Sequence, residues 1–344
     1  MHNKRDRTTS LDIAHRAGVS QATVSRVLRG STLVNAETRR RVEEAVRELN
    51  YKVDRHASSL RTQRAGTLAL LLFEDPSGDD SRINPFFPSI LGSVTRAAAR
   101  AGQDVLVSFQ QLSDDWHADY EDSKKADGLI LLGYGDYLEY RAKLEQLVEQ
   151  GTRFVRWGAV MPGQPGISIG CDNHAGGRLA AEHLLSCGRK RIAFVGDASP
   201  HAPEFMARYQ GGRDAQADAG IAVDPALQVD AESSEASGHE AMRALLGSGI
   251  AFDAVFAASD SIAFGALKAL AAHGLRVPED VAVVGFDGLP IGGYFTPSLS
   301  TVVQDTVGAG EALVDALMRQ IRGEPVASRM LRPQLEVRAS SDCR

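Results

Sequence analysis

No apolar run in this 344-residue chain is long enough to cross a membrane; the longest, such as Leu68–Phe73, has the length of a strand. No apolar region follows the opening Met-His-Asn-Lys-Arg-Asp-Arg, so no signal peptide is expected. The three cysteines, Cys171, Cys187 and Cys343, have neither CxxC spacing nor a histidine cluster beside them. A disulfide framework and a structural zinc are therefore not expected, and the cysteines read as reduced thiols of a cytoplasmic protein. Catalytic signatures are missing as well. Gly133-Tyr134-Gly135 lacks the third glycine of a dinucleotide loop and opens no clear helix. GxxxxGK[ST] and HExxH do not occur. These absences weigh against a Rossmann-like sugar kinase or dehydrogenase. The missing signal peptide weighs against a solute-binding protein for transport.

Residues 12–30 read as two short helices joined by a tight turn. Ile13, Ala14 and Ala17 share a face at helical spacing, and Gly18 then offers the positive φ that often ends a helix. Ser20 suits the cap of the next helix, whose Val24, Val27 and Leu28 form an i, i+3, i+4 stripe. The exposed start of that helix offers Gln21, Ala22, Thr23, Ser25 and Arg26, which suit base edges and phosphates. This is the pattern of a helix-turn-helix with the second helix as DNA reader, although any αα-hairpin in a core would share the apolar spacing. Charge favours the first reading. Residues 1–65 hold 14 Lys and Arg against 7 Asp and Glu, and the remaining residues hold 24 against 37. A net of +7 beside a net of −13 describes a basic phosphate-binding module on an acidic body.

Asn35 can cap a third helix over about 36–49, whose Val42, Ala45, Val46 and Leu49 would close a small three-helix core. Residues 50–65 are polar and basic, with Ala57 and Leu60 isolated among them. They are either a flexible linker or a short helix that forms only on DNA. From Gly66 the texture changes. Leu68–Phe73 has the continuous apolar character of a parallel strand buried on both faces. Helices are then read at 90–101, 138–150, 176–187, 205–219, 234–246 and 261–273. Strands are read at 105–109, 128–132, 154–158, 191–195, 227–229, 254–257 and 281–285. Repeated βα units build doubly wound parallel sheets, and two runs of about five strands suggest two similar lobes. Ligands of such sheets lie beyond the carboxyl ends of the strands, and a cleft between lobes is a natural site. The chain is too long for one small core, and its 43% hydrophobic and 24% charged content is ordinary for globular domains.

In order and spacing, a set of segments resembles the LacI/GalR family of bacterial repressors. They are Ala-Gly-Val-Ser-Gln-Ala-Thr-Val-Ser-Arg-Val-Leu (17–28), Arg-Glu-Leu-Asn-Tyr (47–51), Asn-Pro-Phe-Phe (84–87) and Asp-Gly-Leu-Ile-Leu (127–131). Next come Cys-Asp-Asn-His-Ala-Gly-Gly (171–177), His-Leu-Leu-Ser-Cys-Gly (183–188) and Ile-Ala-Phe-Val-Gly (192–196). Arg-Val-Pro-Glu-Asp-Val-Ala-Val-Val-Gly-Phe-Asp (276–287) and Thr-Pro-Ser-Leu-Ser-Thr-Val-Val-Gln (296–304) complete the set. The resemblance implies an all-α helix-turn-helix headpiece over 1–50 and a hinge over 51–65. It implies an α/β core over 66–344 of two doubly wound parallel-sheet lobes, like periplasmic sugar-binding proteins. The N-lobe would span about 66–170 plus 304–332, and the C-lobe about 171–303 plus 333–344.

The resemblance also assigns residues. Ser20, Gln21, Ala22, Thr23, Ser25 and Arg26 fall on the turn and recognition helix. Gln can pair with adenine and Arg with guanine, and Ala22 offers only apolar contact. Thr23 and Ser25 could equally touch phosphates without reading sequence. Arg29 stands where Asn is common, as a phosphate contact or a solvated arginine. Leu60 matches a hinge leucine that wedges into a minor-groove step, with Ala57 beside it. Val53 and Asp54 replace the usual Pro and Asn of that hinge. In the cleft, Phe86 and Phe87 match positions where a ring stacks on a sugar or base, or simply packs. Arg208 matches an arginine that clamps ligand oxygens, and Asp287 matches a ligand-binding carboxylate that could instead cap a turn. Asp172 and Ser259 are further candidates. Ser259 replaces a common Asn, Glu204 replaces a common Ser or Thr, and Ser233 lies where an aromatic often stacks. These departures imply a ligand unlike the familiar ones.

The expected protein is thus not an enzyme and uses no cofactor or metal. It is a homodimeric transcriptional regulator, a repressor in the family's manner. Its partners would be pseudo-palindromic operator DNA and a small-molecule effector, likened to a sugar, with no membrane. No leucine-heptad helix follows the core, which favours a dimer over a tetramer.

Overall fold

The computed structural model describes residues 8–28, 31–51, 64–73 and 83–343. The chain forms two compact units, 1–65 and 66–344. In the first, the described residues hold helices α1 (Ser10–Ala17), α2 (Gln21–Leu28) and α3 (Ala36–Glu48). Thr9 and Asp12 cap α1 reciprocally, each side chain accepting the other's backbone N–H. Gly18 ends it in the left-handed conformation, at φ 64°. Asn35 Oδ1 accepts the Thr38 N–H at 2.8 Å and so starts α3. Ile13, Ala14, Ala17, Val24, Val27, Val42 and Ala45 are buried together, with Val46 and Leu49 at the edge. The side chains are small, so this core holds little reserve of stability.

In the second unit, the first sheet contains β1 (Thr67–Leu72), β2 (Asp104–Phe109), β3 (Leu129–Leu132), β4 (Phe154–Trp157), β5 (Ile167–Cys171) and β11 (Arg329–Leu331). Its order is β11-β5-β4-β3-β1-β2, and every pairing is parallel. The second sheet contains β6 (Ile192–Val195), β7 (Gln228–Val229), β8 (Ala254–Ala257), β9 (Ala282–Asp287), β10 (Ser300–Val303) and β12 (Gln334–Glu336). Its order is β12-β10-β9-β8-β6-β7, with β12 alone antiparallel. The helices are α4 (Phe86–Arg100), α5 (Tyr137–Glu149), α6 (Asn173–Ser186), α7 (Pro203–Asp218), α8 (Glu235–Gly247), α9 (Asp260–Ala272) and α10 (Thr306–Ile321). The chain passes between the sheets three times: after β5, after β10 and after β11.

Layering explains the apolar runs. On β1, Leu68, Leu70 and Leu72 pack with Ile90 and Val94 of α4 and Leu313 of α10, while Ala69 and Leu71 face Trp116, Tyr140 and Leu144. Two glycines set the seat of α7. A Cβ on Gly177 of α6 would overlap the Arg208 carbonyl, and one on Gly211 of α7 would overlap that of His174. The two helices therefore touch backbone to backbone.

Several details differ from the sequence reading. Each sheet has six strands rather than about five, because β5, β10, β11 and β12 were not read. The strands β11 and β12 have only three residues each, too few for periodicity to show. Helices α4, α6 and α7 begin two to four residues earlier than read, which brings Phe86, Phe87 and Glu204 onto first turns. The expectation of reduced thiols is overturned for two of the three cysteines: Cys187 and Cys343 form a disulfide with Cα atoms 5.4 Å apart. The partners lie 156 residues apart, so spacing gave no hint. The C-terminal tail makes the encounter. Ser340 Oγ donates to the Val283 carbonyl at 2.6 Å, and Ser341 Oγ pairs with His183 Nε2 at 2.8 Å, bringing Cys343 to the end of α6. Cys171 remains a buried thiol.

Truncating Ile13 to Ala should cost about 2–4 kcal/mol in the first unit. Calorimetry is expected to show that unit melting earlier while the transition of the second stays in place. A joint shift of both transitions would contradict this.

Candidate functional site

The first candidate surface is the start of α2. Ser20 Oγ accepts the Thr23 N–H at 3.2 Å and lies 2.9 Å from Thr23 Oγ1, so both hydroxyls serve the cap. Gln21, Ala22 and Arg26 are exposed, and Thr23 and Ser25 are half-buried. Gln21 Nε2 donates to Ser10 Oγ at 2.8 Å, an exposed bond that fixes the direction of its amide. Val24 and Val27 face inward and hold the opposite side of α2 against the core. Arg29, Ala57 and Leu60 lie outside the described residues, as does most of the hinge segment.

The second candidate lies beyond the carboxyl ends of the strands. Arg208 projects from α7 and is buried. Its Nε donates to Asn173 Oδ1 at 2.9 Å and its Nη1 to the Ala258 carbonyl. The guanidinium lies 3.7 Å from the Phe286 ring centroid, and Nη1 lies 3.8 Å from Asp287 Oδ1. Asp287, the last residue of β9, adopts φ 120°, a conformation that side-chain-bearing residues rarely take. Gln304 Nε2 donates to its Oδ1 at 2.8 Å. Asp260, at the start of α9, accepts from Thr301 Oγ1 at 2.6 Å and the Leu289 N–H at 2.7 Å. Burial pushes the Asp287 carboxyl up to about 6 against the pull of Arg208. Burial, and then the charge of Asp287, push Asp260 up to about 8. Burial thus favours the neutral form of both carboxyls, while the Arg208 guanidinium favours the charged form of Asp287.

The remaining cleft candidates fall into separate clusters. Ser259 caps α9, accepting the Ile262 N–H, and receives the Ser233 hydroxyl at 3.0 Å. Ser233 in turn accepts from Asn84 Nδ2 at 3.2 Å, so a polar chain links the two sheets. Glu204 reaches across as well, accepting from the Tyr134 hydroxyl and from the Ala159 N–H at 2.6 Å. Asp172 is occupied as the cap of α6, accepting the Ala175 N–H at 3.0 Å. Phe86 is buried, with its ring 5.9 Å from that of Trp157, while Phe87 is half-buried against Gly133. The sequence reading did not single out Asn84, Tyr134, Arg156, Asn173, Asp260 or Gln304. Asn84, Asn173 and Gln304 stand inside the motifs quoted above, which is the available signal. Among the described residues, no group of three or more His, Cys, Asp and Glu could hold a metal ion.

A model of the lacI family of bacterial regulatory proteins matches residues 9–54, and a periplasmic binding protein-like domain matches residues 181–341. The transcriptional regulator CelR of Thermobifida fusca is 34% identical over 93% of this chain and 94% of its own. The chain belongs to the lacI family. The ribose operon repressor of Escherichia coli K12 is 30% identical over 91% of this chain and 93% of its own. The solved CelR–cellobiose complex superposes with a TM-score of 0.72 at 32% identity, covering 97% of this chain and all of that one. The lac repressor dimer bound to operator and the anti-inducer ONPF gives 0.77 at 26% identity, covering 97% and 99%. This lacI-family protein is accordingly a DNA-binding transcriptional regulator and not an enzyme, with a helix-turn-helix unit and an effector-binding core.

The raised carboxyls set a pH dependence for this regulator. An unfolded Asp titrates near 3.9, so the folded core binds more protons across the interval above it. Stability should fall as pH rises from about 4 to about 8, by at most about 1.4 kcal/mol per pH unit for each titrating proton. Asp260→Asn is expected to flatten the upper part of that fall in urea titrations. Equal slopes for Asp260→Asn and wild type between pH 6 and 8 would contradict the assignment.

Proposed function

We propose that this regulator acts in the cytoplasm as a homodimeric repressor of a pseudo-palindromic operator, and that a sugar bound between the lobes of its core controls it. The observation that carries the reading is the Arg208–Asp287 pair, buried beyond the strand ends of a core that accompanies a helix-turn-helix. A guanidinium fork and a carboxylate side by side suit the hydroxyls of a polyol. The CelR structure named for cellobiose and the repressor named for the ribose operon support the sugar class.

In this reading, Gln21 and Arg26 read base edges and Ala22 makes an apolar contact. Ser20, Thr23, Ser25 and Arg29 meet the backbone. Leu60, with Ala57 beside it, wedges the central minor-groove step. Effector binds one lobe arrangement better than the other and shifts the population, and the hinge residues 51–65 carry the shift to the DNA. Arg208 and Asp287 form the centre of the cleft, with Phe87, Ser259 and Glu204 around it, and Phe86 and Asp172 act by supporting its walls.

Selection from a random duplex library at several salt concentrations tests the reading. A short inverted repeat is expected, with affinity falling steeply as salt rises. Failure to enrich any sequence, with and without pooled sugars, would refute it. Gln21→Ala should lose about 1–3 kcal/mol of discrimination at one base of each half-site. Leu60→Ala should weaken operator binding, and wild-type affinity would remove the wedge.

A further inference from the structure

Two helix starts meet in the first unit. Ser10 is the first residue of α1 and Gln21 the first of α2. Gln21 Nε2 donates to Ser10 Oγ at 2.8 Å, between residues 11 apart in the chain. Neither helix needs this bond to form. Thr9 and Asp12 cap α1, and Ser20 and Thr23 serve the start of α2. Ile13, Ala17, Val24 and Val27 are buried together and set the two helices against each other. What the bond holds is one long, exposed side chain on the surface that faces away from that core. A glutamine left free there would sample many rotamers and lose that freedom on binding.

The direction of the bond decides what remains of the amide. A primary amide carries two N–H donors and one carbonyl acceptor. One N–H goes to Ser10, and no group among the described residues meets Gln21 Oε1. One acceptor and one donor are left side by side. In the major groove this pair matches adenine, which sets its N6–H donor beside its N7 acceptor. Guanine offers two acceptors there, and thymine an acceptor and a methyl, so neither donates to Oε1. Cytosine donates from N4 but leaves the amide N–H without an acceptor.

We propose that Ser10 is a positioning residue for base reading: it holds the Gln21 amide in place, and the pair selects adenine at one position of each half-site. Operator specificity is thereby shared between the first helix and the second. A side chain held before DNA arrives pays less ordering entropy on binding, and a fixed amide discriminates where a wandering one blurs. The inference rests on the reading of Gln21 as a base contact.

The test uses the full chain and the operator recovered from the duplex library, remade with each of the four bases at the position that Gln21→Ala makes indifferent. The wild type is expected to prefer adenine there. Ser10→Ala is expected to lower that preference about three- to tenfold, the worth of one neutral hydrogen bond, and to leave every other position unchanged. Ser10→Thr keeps the hydroxyl and should keep the preference. In a Gln21→Ala background, Ser10→Ala should change nothing further. Thermal unfolding midpoints close to wild type are expected for both Ser10 variants, since the cap of α1 lies on Thr9 and Asp12. Unchanged preference in Ser10→Ala, or an equal loss of affinity for all four bases, would overturn the positioning role while Gln21 stands as a reader. Preference for guanine or thymine would overturn the adenine assignment. Gln21→Ala without effect at any base would count against the reading and the pair together.

Discussion

Arg208 is buried against Phe286 and the end of β9, and a guanidinium so placed is tolerable only where carbonyls and a carboxylate meet it. The arrangement around it answers that demand. Asn173 comes from the first turn of α6, Ala258 from the end of β8 and Asp287 from the end of β9. The Asn173 contact goes with the close seat of α7 on α6, where a Cβ on Gly177 or Gly211 would meet the backbone of the other helix. Asp287 is held in its unusual backbone conformation by the same network, through Gln304 and the backbone that follows β10. Removing the arginine would leave the buried Asp287 carboxylate with the Gln304 amide but no cation against it, so local stability depends on that contact.

The contacts across the two sheets have a different character. They include the polar bonds of Glu204 to Tyr134 and Ala159, of Asn84 through Ser233 to Ser259, and of His201 to Asp136, beside the backbone bond from the Tyr137 N–H to the His201 carbonyl. The backbone passes between the sheets at three places only. A change in the mutual angle of the two layers would exchange these polar contacts, whereas close packing resists deformation within either layer. A ligand that replaces or reinforces the bridging polar contacts biases that angle by its differential affinity for the two arrangements.

The headpiece was legible because its signals are local. The spacing of Ile13, Ala17, Val24 and Val27 and the caps Ser20 and Asn35 act within a few residues, and the structure bears them out. The parallel strands were legible where both faces are apolar, as on β1. The three-residue strands β11 and β12 are not, because short pairings at a sheet edge depend on partners far along the chain, and β5 and β10 are missed with them. The helix α10 carries a 3.6-residue pattern in Ala309, Leu313, Ala316 and Leu317 that the reading passed over. In the cleft, Arg208, Asp287, Glu204 and Ser259 were marked by motif position. Their partners Asn173, Asp260 and Gln304 needed the fold, since a hydrogen bond between distant residues has no sequence spacing. Arg156 was hidden most thoroughly: a charged residue inside an apolar strand gives no sign that it is fully buried. Cys187 and Cys343 illustrate the same limit.

The central claim is that cleft and operator are coupled through one equilibrium between lobe arrangements. Coupling of that kind is reciprocal: the factor by which a sugar changes operator affinity must equal the factor by which operator changes sugar affinity. The direct measurement is a closed cycle, with fluorescence anisotropy of labelled operator with and without sugar, and calorimetric sugar titration with and without operator. The account predicts equal factors well away from one, of about 5–150-fold. Sugar binding that leaves operator affinity unchanged would contradict it.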